Sequence, residues 1–560
     1  MKKLCMIASA AILAVALIAV PFSGCSRSDR AVDSSKTQLY VGTFDGGFGD
    51  EWLNTIARRF EEEYAETSFE EGKTGIQIWV AKSRNYGSTA LVSLIDSQDR
   101  DIYFTEQVDY YSLLNSGKLL DISEAVTTPL TEYGEDESIA DKMHAGDREF
   151  FQQDGKYYGL PFYEGTYGIY YDVDLFEDNL LYFAAEGSGD SEGFITDLSD
   201  ELSAGPDGKS ETTYDNGLPA TYEEFFKLCD KIAALGTDYY PITWGGTVAG
   251  QYLNYFLRSL WADYEGAEQM SLNYTLSGGA TNLVSSISGG EVTTYSETIT
   301  EQNGYLLQKQ AGRYYALDFL ERLLDNTDYY DADSCFSRVL TQVDAQTDFL
   351  GGKYTSGGDT VAMYIDGTWW YNEAKNQGIF DMFSNRPGAG IDERRIGFLP
   401  LPKPDGTAAK DFTFYNAYLT ECFIVSKIDP AKIDAATAFL RYCHTDEALS
   451  EFTRITYTPR AFDYALTEAD EDASNYYTKS LMEVKANSEI VLPYSKNSTF
   501  LNNTTTFWRY EYIWQSEIGG AEYNYPSTAM RENNVTAEEY FNGLSAYWTE
   551  SNWKNTLRLS

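Results

Sequence analysis

The sequence has very few histidines, since His144 and His444 are the only two in 560 residues. Their separation excludes short metal motifs such as HExxH, and a Ser-His-Asp triad would need one of them in a suitable context. The six cysteines contain no C-x-x-C pair, so zinc and thiol-redox motifs are absent from the sequence. We therefore expect neither a metal nor a cofactor.

Basic residues are also scarce, with 42 Lys and Arg against 86 Asp and Glu and a formal net charge of −44. A nucleic-acid-binding surface needs clustered Lys and Arg, so we expect no nucleic-acid partner. The same charge argues against docking a whole face on anionic lipid. The hydrophobic content of 43% and the charged content of 23% are typical of a globular chain, and the length allows two to four domains.

The first 24 residues have the pattern of an export signal. Lys2 and Lys3 precede a nearly uninterrupted apolar run from Leu4 to Val20, and small residues follow. Cys25 comes directly after Ser-Gly, which resembles a bacterial lipobox, although Phe22 stands where a smaller aliphatic residue is usual. We predict a signal peptide at 1–24, lipidation of Cys25 and a polar tether at 25–36. The alternative is an uncleaved anchor helix, for which the run is marginal in length.

Four cysteines remain in the predicted mature chain after Cys25. Cys229 and Cys443 each share a helical face with apolar residues, which favours buried, inert thiols. A disulfide among Cys229, Cys335, Cys422 and Cys443 stays open, because the chain is predicted to be exported.

Strand and helix patterns alternate along the start of the mature chain. Strands are predicted at 38–44, 76–80 and 101–104, with amphipathic helices between and after them. This order is typical of an open, mainly parallel α/β sheet, in which ligands bind outside the carboxyl ends of the strands. Further strands are predicted around 158–171, 241–246, 361–368 and 418–425, with helices at 252–260, 314–324, 433–440 and 537–557.

The loop Asp45–Asp50 is rich in glycine but does not predict a phosphate site. It lacks the G-x-x-x-x-G-K-[ST] and G-x-G-x-x-G spacings, and its two Asp residues would repel phosphate. The Asp- and Gly-rich loop 205–217 lacks the EF-hand spacing as well. We favour solvated turns over a calcium site there.

Several segments, in order, resemble the bacterial extracellular solute-binding proteins of the sugar-binding family, which includes maltodextrin-binding protein. The similar segments are Asp101–Phe104 with Ser116–Asp121, Asp154–Pro161 with Tyr171–Phe176, Ala362–Trp369, and Ala435–Glu447 with Thr458–Arg460. Together they span most of residues 37–460. The stretches 177–219 and 263–300 exceed the usual family length.

The resemblance implies an α/β fold of two lobes, each a mainly parallel sheet flanked by helices, with three hinge crossings. We place lobe I at 37–165 and 420–460, lobe II at 166–419 and 461–560, and the crossings near 163–166, 416–422 and 459–461. The implied function is capture of a sugar or oligosaccharide between the lobes and its delivery to an ABC-type permease in the same membrane. We expect a monomer anchored by lipid on the extracytoplasmic face.

Sugar recognition requires carboxylate acceptors for hydroxyls and flat aromatic platforms for ring faces. The 45 Tyr and 10 Trp residues supply such platforms. The candidate ligand-binding residues lie at predicted strand ends or crossings, or match cleft positions of the family: Asp45, Phe48, Glu106, Gln107, Tyr163, Glu164, Trp244, Trp369, Trp370 and Trp508. For Phe48, Trp244 and Trp370 the alternative is a core or rim aromatic. For Glu106 and Glu164 it is a solvated or helix-capping carboxylate.

Two other functions fit the same composition. A surface-tethered glycoside hydrolase would need two carboxylates flanking a glycosidic bond, but no series of eight strand–helix units indicates a TIM barrel. The same two-lobe fold could also bind a solute that is not a sugar. We predict a binding protein that releases its ligand chemically unchanged and is not an enzyme.

Overall fold

A computed structural model describes residues 30–87, 91–508 and 513–559. The predicted signal peptide, Cys25 and the first part of the tether lie outside these residues. Within the described part of the chain, no helix has the length and apolar character that a membrane span requires.

The strands are short, and most of the residues in the longer central ones are buried. In chain order they are β1 Thr37–Phe44, β2 Ile76–Ser83, β3 Ile102–Glu106, β4 Gln152–Gln153, β5 Lys156–Tyr157, β6 Tyr167–Asp172, β7 Tyr239–Thr243, β8 Gly278–Ser288, β9 Glu291–Ile299, β10 Thr360–Gly367, β11 Ile396–Leu399, β12 Thr413–Tyr415, β13 Thr420–Ile424, β14 Glu489–Val491, β15 Ser516–Ile518 and β16 Ala521–Tyr523.

The α-helices outnumber the strands and cover both sheets. They are α1 Glu51–Glu63, α2 Leu91–Leu94, α3 Tyr110–Asn115, α4 Ser123–Thr127, α5 Ile139–Lys142, α6 Ala145–Phe151, α7 Val173–Asp178, α8 Tyr222–Ala233, α9 Ala249–Thr275, α10 Ala311–Asp325, α11 Ala332–Cys335, α12 Gln342–Gly351, α13 Trp370–Asn376, α14 Ile379–Phe383, α15 Ile433–Tyr442, α16 Asp446–Thr456, α17 Glu468–Ala473, α18 Tyr476–Ala486, α19 Ser498–Leu501, α20 Thr504–Trp508, α21 Pro526–Asn533, α22 Ala537–Tyr547 and α23 Glu550–Leu557.

The first four-stranded sheet has the order β13-β3-β1-β2. β1 pairs in parallel with β2 and β3, as the alternation of strand and helix predicts, and β13 joins β3 antiparallel. Because β1 and β3 are parallel, the loop after Phe44 and the end of β3 at Glu106 lie at the same edge of the sheet. The sequence pattern therefore predicts that the polar residues after β1 and those at the end of β3 lie at the same edge of this sheet.

The second four-stranded sheet has the order β11-β6-β10-β7 and differs from the expected mainly parallel arrangement. β6 pairs antiparallel with both β10 and β11, and only β7 and β10 are parallel. β6 starts directly after the first crossing at 163–166, without a preceding helix to reverse its direction. The broad prediction of a strand over 158–171 was also too long, since β6 begins at Tyr167.

The long stretch 263–300 contains structure that the sequence analysis did not predict. α9 continues to Thr275 across a non-helical residue, Gly266 with φ 78°, and a β-hairpin of β8 and β9 follows. The solvent-facing strands of this hairpin are rich in Ser and Thr, which obscures the alternation of apolar residues on which strand prediction depends.

The three predicted crossings lie side by side and are joined by hydrogen bonds. The amide of Glu164 donates to the carbonyl of Pro459 at 3.2 Å, and the amide of Ala417 donates to the carbonyl of Gly165 at 2.7 Å. The Thr420 hydroxyl also accepts from the amide of Tyr163 at 3.1 Å. The connection between the two sheets is therefore a narrow bundle of three extended segments, the arrangement that hinge motion requires.

The four described cysteines are buried and free, so none of them forms a disulfide. Burial raises the pKa of the Cys443 thiol to about 12 and that of Cys335 to about 12. Thiols with such pKa values carry almost no thiolate at neutral pH and are chemically inert.

Candidate functional site

The loop after β1 contacts the second sheet's helices across the cleft. The side chain of Asn372, on α13, donates to the carbonyl of Phe48 at 2.7 Å, and Asn376 donates to the carbonyl of Gly47 at 2.9 Å. Gly47 has φ +92°, and a side chain there would meet Trp369. The glycine is therefore favoured by its backbone conformation, since a Cβ there would make only ordinary contacts with Glu373 and Trp369.

An aromatic cluster lies where the crossings meet the second sheet, and we call it the cleft aromatic cluster. It consists of Tyr167 on β6, Tyr252 and Tyr255 on α9, Trp369 before α13, and Tyr418 in the second crossing. The rings of Tyr167 and Tyr255 stack at 4.9 Å, and Trp369 lies 5.5 Å from the ring of Tyr418. The hydroxyls of Tyr167 and Tyr418 lie 3.1 Å apart. Rings with polar tips directed at one another are well suited to hold a polar, ring-shaped ligand.

A small pocket opens beside this cluster, between the two sheets, and we call it the cleft pocket. Its volume is about 10 Å³, and its lining residues are Gln107, Tyr255, Arg258, Tyr274, Tyr415, Ala417, Tyr418, Leu419, Pro493 and Phe507. A volume of that size holds about one water molecule, whereas ligand sites usually measure about 300–1,000 Å³. At this point the described residues leave no room for a sugar, so a ligand of that size requires them to separate.

Glu106 and Gln107 lie at the cleft end of β3, as predicted. The Tyr163 hydroxyl donates a hydrogen bond to Glu106, and burial raises the pKa of Glu106 to about 7. Gln107 has φ 53° and lines the cleft pocket, and its amide donates to the carbonyl of Leu419 at 2.7 Å. The structure thus brings Glu106, Gln107 and Tyr163 together next to the cleft aromatic cluster.

Trp369 also joins this site, whereas three other predicted aromatics belong to the core. Trp370 is fully buried against Tyr170 and Tyr364, and Trp244 is 1% exposed and packs on Tyr330. Phe48 is 1% exposed and packs on Tyr163 and Phe452. None of these three rings contacts the cleft aromatic cluster among the described residues, so we favour core packing for Trp244, Trp370 and Phe48. Trp369 contacts Tyr167 and Tyr418, whereas the adjacent Trp370 contacts Tyr170 and Tyr364.

Two predicted acidic residues have structural partners. Glu164 is fully buried, with an oxygen 2.7 Å from the ammonium of Lys485 and another 3.2 Å from a ring nitrogen of His144. Burial alone would raise the pKa of Glu164, but the charges of Lys485 and His144 outweigh it and lower that pKa. Asp45 is partly exposed and lies 3.7 Å from the ammonium of Lys82 at the rim of the loop. Glu164 therefore serves the first crossing as part of a buried ion-pair group.

Trp508 ends α20, and its side chain lies outside what the structure describes. Asp207 and Asp215, in the loop 205–217, lie near each other, and burial is the main cause that raises the pKa of Asp215 to about 7. Among the described residues, no group of three or more His, Cys, Asp or Glu side chains is placed to hold a metal ion.

The contribution of α9 to the site was not predicted from the sequence. Tyr252, Tyr255, Arg258 and Ser259 follow one another at helical spacing, and the Ser259 hydroxyl lies 3.3 Å from that of Thr166 in the first crossing. A Tyr-x-x-Tyr-x-x-Arg series on a helix that follows a strand end could have indicated a polar helix face directed at the cleft. Tyr274 and Tyr415, whose hydroxyls lie 2.6 Å apart, complete that side.

The pKa values of several buried groups predict that the protein becomes less stable as the pH rises from about 5 to 8. Burial raises the pKa values of Glu106, Asp147 and Glu265 to about 7, so the native state holds protons that the unfolded state releases above about 4.3. Burial disfavours protonated His144, but Glu164 and Asp463 outweigh it and raise its pKa to about 10. The contribution of protonated His144 to stability is complete below about pH 6.5 and is lost as the pH rises towards 10.

His444 has the opposite effect on the pH dependence of stability. Burial holds its pKa well below the usual value, so the native state loses stability as the pH falls below about 6.5. We expect the four groups of the other sign to outweigh it, so the melting temperature should be several degrees higher at pH 5.5 than at pH 8. Scanning calorimetry across this range measures the effect, and Glu106→Gln should reduce the slope between pH 5 and 7. A melting temperature that rises with pH would contradict this assignment of charges.

This chain resembles known proteins in sequence and in fold. Residues 65–476 match the sequence profile of the family described as bacterial extracellular solute-binding protein. A solved structure described as a chitin oligosaccharide binding protein has 17% identity and a TM-score of 0.52, with 92% of this chain and 99% of that chain covered. The apo form of RafE from Streptococcus pneumoniae has 16% identity and a TM-score of 0.52, with 93% and 100% covered. No curated protein sequence matches the chain. At these identities the two structures establish the fold.

Proposed function

The chain belongs to the bacterial extracellular solute-binding protein family, and on that premise we propose that it captures a sugar or oligosaccharide in the cleft and delivers it to an ABC-type permease. The observation that carries the proposal is the cleft aromatic cluster, with Tyr167, Tyr255 and Trp369 packed beside the three crossings. Stacked rings contribute about 0.5–1.5 kcal/mol each beyond their burial, and hydrogen bonds to charged groups about 1.5–3 kcal/mol. A few stacked rings and a few such hydrogen bonds together account for a binding free energy of roughly −8 kcal/mol, which corresponds to a micromolar dissociation constant.

The two neighbouring structures add support, because one is named for binding chitin oligosaccharides. Our proposed lobe I comprises 37–165 with 420–460, and lobe II comprises 166–419 with 461–560. β13 in the first sheet and β11 in the second fit this division. α17 lies in the segment assigned to lobe II but packs against α16 of lobe I.

The test is a thermal-shift screen over mono- and oligosaccharides, followed by calorimetry and small-angle scattering with the best ligand. A ligand that binds only the native state raises the melting temperature. We expect the radius of gyration to fall on saturation, because we propose that the free protein is open in solution and that the two lobes close on the bound sugar. An unchanged scattering profile at saturation would argue against hinge closure, and binding of peptides or polyamines alone would argue against a sugar.

We also propose that the protein is not a hydrolase. Glu106 and Glu421 are adjacent carboxyl groups on β3 and β13, but Glu421 is fully buried and accepts a hydrogen bond from Thr105 at 2.9 Å. A second catalytic carboxylate needs direct access to the sugar ring or its water. Release of shorter products from labelled oligosaccharides during incubation with the purified protein would overturn this proposal.

The proposed lipid anchor and the proposed location on the membrane rest on the pattern of residues 1–25. The proposed lipid on Cys25 would hold the protein on the outer face of the cell membrane near the permease, and we propose a monomer there. Two or more acyl chains anchor a protein stably, whereas one does not. Cys25→Ala should release the protein from the membrane fraction, and persistence in that fraction would favour an uncleaved helix.

A further inference from the structure

Arg258 is a buried arginine side chain that has no acidic partner among the described residues. It is 3% exposed on α9 and lines the cleft pocket. Its Nε and Nη2 atoms have no hydrogen-bond partner among the described residues, and the groups that act on its charge are the tyrosines at 255, 274 and 415. By contrast, Arg394 is 1% exposed and lies 2.9 Å from a carboxylate oxygen of Asp172.

A buried charge without a partner is costly and rare in proteins. Removing a guanidinium from water is offset only when a counter-charge and hydrogen bonds replace the solvent. The Tyr255 ring, 4.6 Å from the guanidinium carbon, supplies a cation–π contact, and the N–H groups of Nε and Nη2 still have no partner among the described residues. Those N–H groups form a rigid fork that matches the two oxygens of a carboxylate.

The surroundings of Arg258 favour a singly charged acidic group of the ligand at this position. Of the described residues that line the cleft pocket, Arg258 alone is cationic, and the others are aromatic, aliphatic or amide groups. The nearby carboxyl of Glu106 is engaged with the Tyr163 hydroxyl. A phosphate carries about −1.5 to −2 charges at neutral pH and would require more than one cation, whereas a carboxylate needs only one.

We infer that Arg258 receives a carboxylate of the ligand, so that the preferred substrates are acidic saccharides, in which a ring carries a carboxyl group. The inference rests on the proposed function and specifies its substrate class. In it, the cleft aromatic cluster stacks on the sugar rings, and α9 supplies the counter-charge from one side. The overall charge of −44 repels such a ligand at long range, so added salt should raise its association rate.

The test compares matched saccharides by calorimetry and thermal shift. The probes are trigalacturonate, its carboxyl-reduced neutral counterpart, cellotriose and glucose 6-phosphate. We expect trigalacturonate to bind and the reduced counterpart to bind about 10- to 100-fold more weakly, the range of one charge-assisted hydrogen-bond pair. Arg258→Gln should cause a loss of the same size for trigalacturonate. Arg338→Gln removes the same charge from an exposed position away from the pocket and should leave the affinity unchanged.

Each outcome separates this inference from the function on which it rests. Binding of the neutral saccharides with equal or higher affinity, unaffected by Arg258→Gln, would overturn the acidic preference and leave sugar capture standing. Binding of glucose 6-phosphate alone would overturn the carboxylate assignment. Failure of every saccharide to bind would overturn both proposals. Should Arg258→Gln fail to fold, Arg258→Lys keeps the charge without the fork, and the comparison of trigalacturonate with its reduced counterpart needs no variant.

Discussion

Trp369→Ala should lower the affinity for the bound saccharide by about 30-fold, because a tryptophan at the centre of a binding site contributes about 2 kcal/mol or more. Trp369 is 8% exposed in this structure, and it contacts Tyr167 at 5.2 Å and Tyr418 at 5.5 Å. Separation of the two halves would uncover its ring face for stacking. Calorimetry with the best ligand of the thermal-shift screen measures the loss.

The neighbouring tryptophan supplies a matched control for this experiment. Trp370 is fully buried and packs on Phe349 and Tyr477, so Trp370→Ala should destabilise the fold by about 3–5 kcal/mol. The fraction that remains folded should bind the saccharide with unchanged affinity. Trp369→Phe should retain part of the stacking and give an intermediate affinity. Equal affinity in the wild type and Trp369→Ala would show that the cleft aromatic cluster does not hold the ligand.

Local patterns were sufficient to predict the first sheet. The alternation in β1, the helical spacing of Leu53, Ile56 and Phe60, and the polar residues after β3 all act within a few residues of one another. The crossings were predicted from the arrangement that the family resemblance implies, and only the crossing near 459–461 overlaps one of the similar segments. The antiparallel direction of β6 could not, since strand direction depends on pairing with β10, almost two hundred residues later.

The composition of the candidate site depends on contacts that no local pattern encodes. Tyr167 and Tyr418 meet through their hydroxyls although 251 residues separate them. Trp369 and Trp370 are adjacent and chemically identical, and only the geometry at the end of β10 decides which one reaches the cleft. Arg258 has the sequence context of an ordinary helix residue. Its importance becomes visible when the packing shows that tyrosines surround it and that no acidic side chain within the described part of the chain pairs with it.

Lys485→Met should produce the largest loss of stability among single charge changes at the crossings. Lys485 lies on α18, is 8% exposed, and its ammonium is 2.7 Å from the Glu164 carboxylate in the first crossing. Removing it leaves a fully buried carboxylate with His144 as its remaining cation, and breaking such a pair typically costs about 3–5 kcal/mol. The melting temperature in scanning calorimetry should fall by several degrees.

A double variant distinguishes a buried ion pair from simple loss of packing. Glu164→Gln with Lys485→Met removes both charges and should recover part of the stability, because no uncompensated carboxylate remains in the interior. Lys554→Met breaks an exposed pair with Glu550 at 2.6 Å and should cost less than about 1 kcal/mol. If Lys485→Met cost no more than Lys554→Met, the Glu164 carboxylate would have to be solvated or protonated in the native protein. A double variant less stable than Lys485→Met would show that the carboxylate contributes without its lysine, through His144 alone.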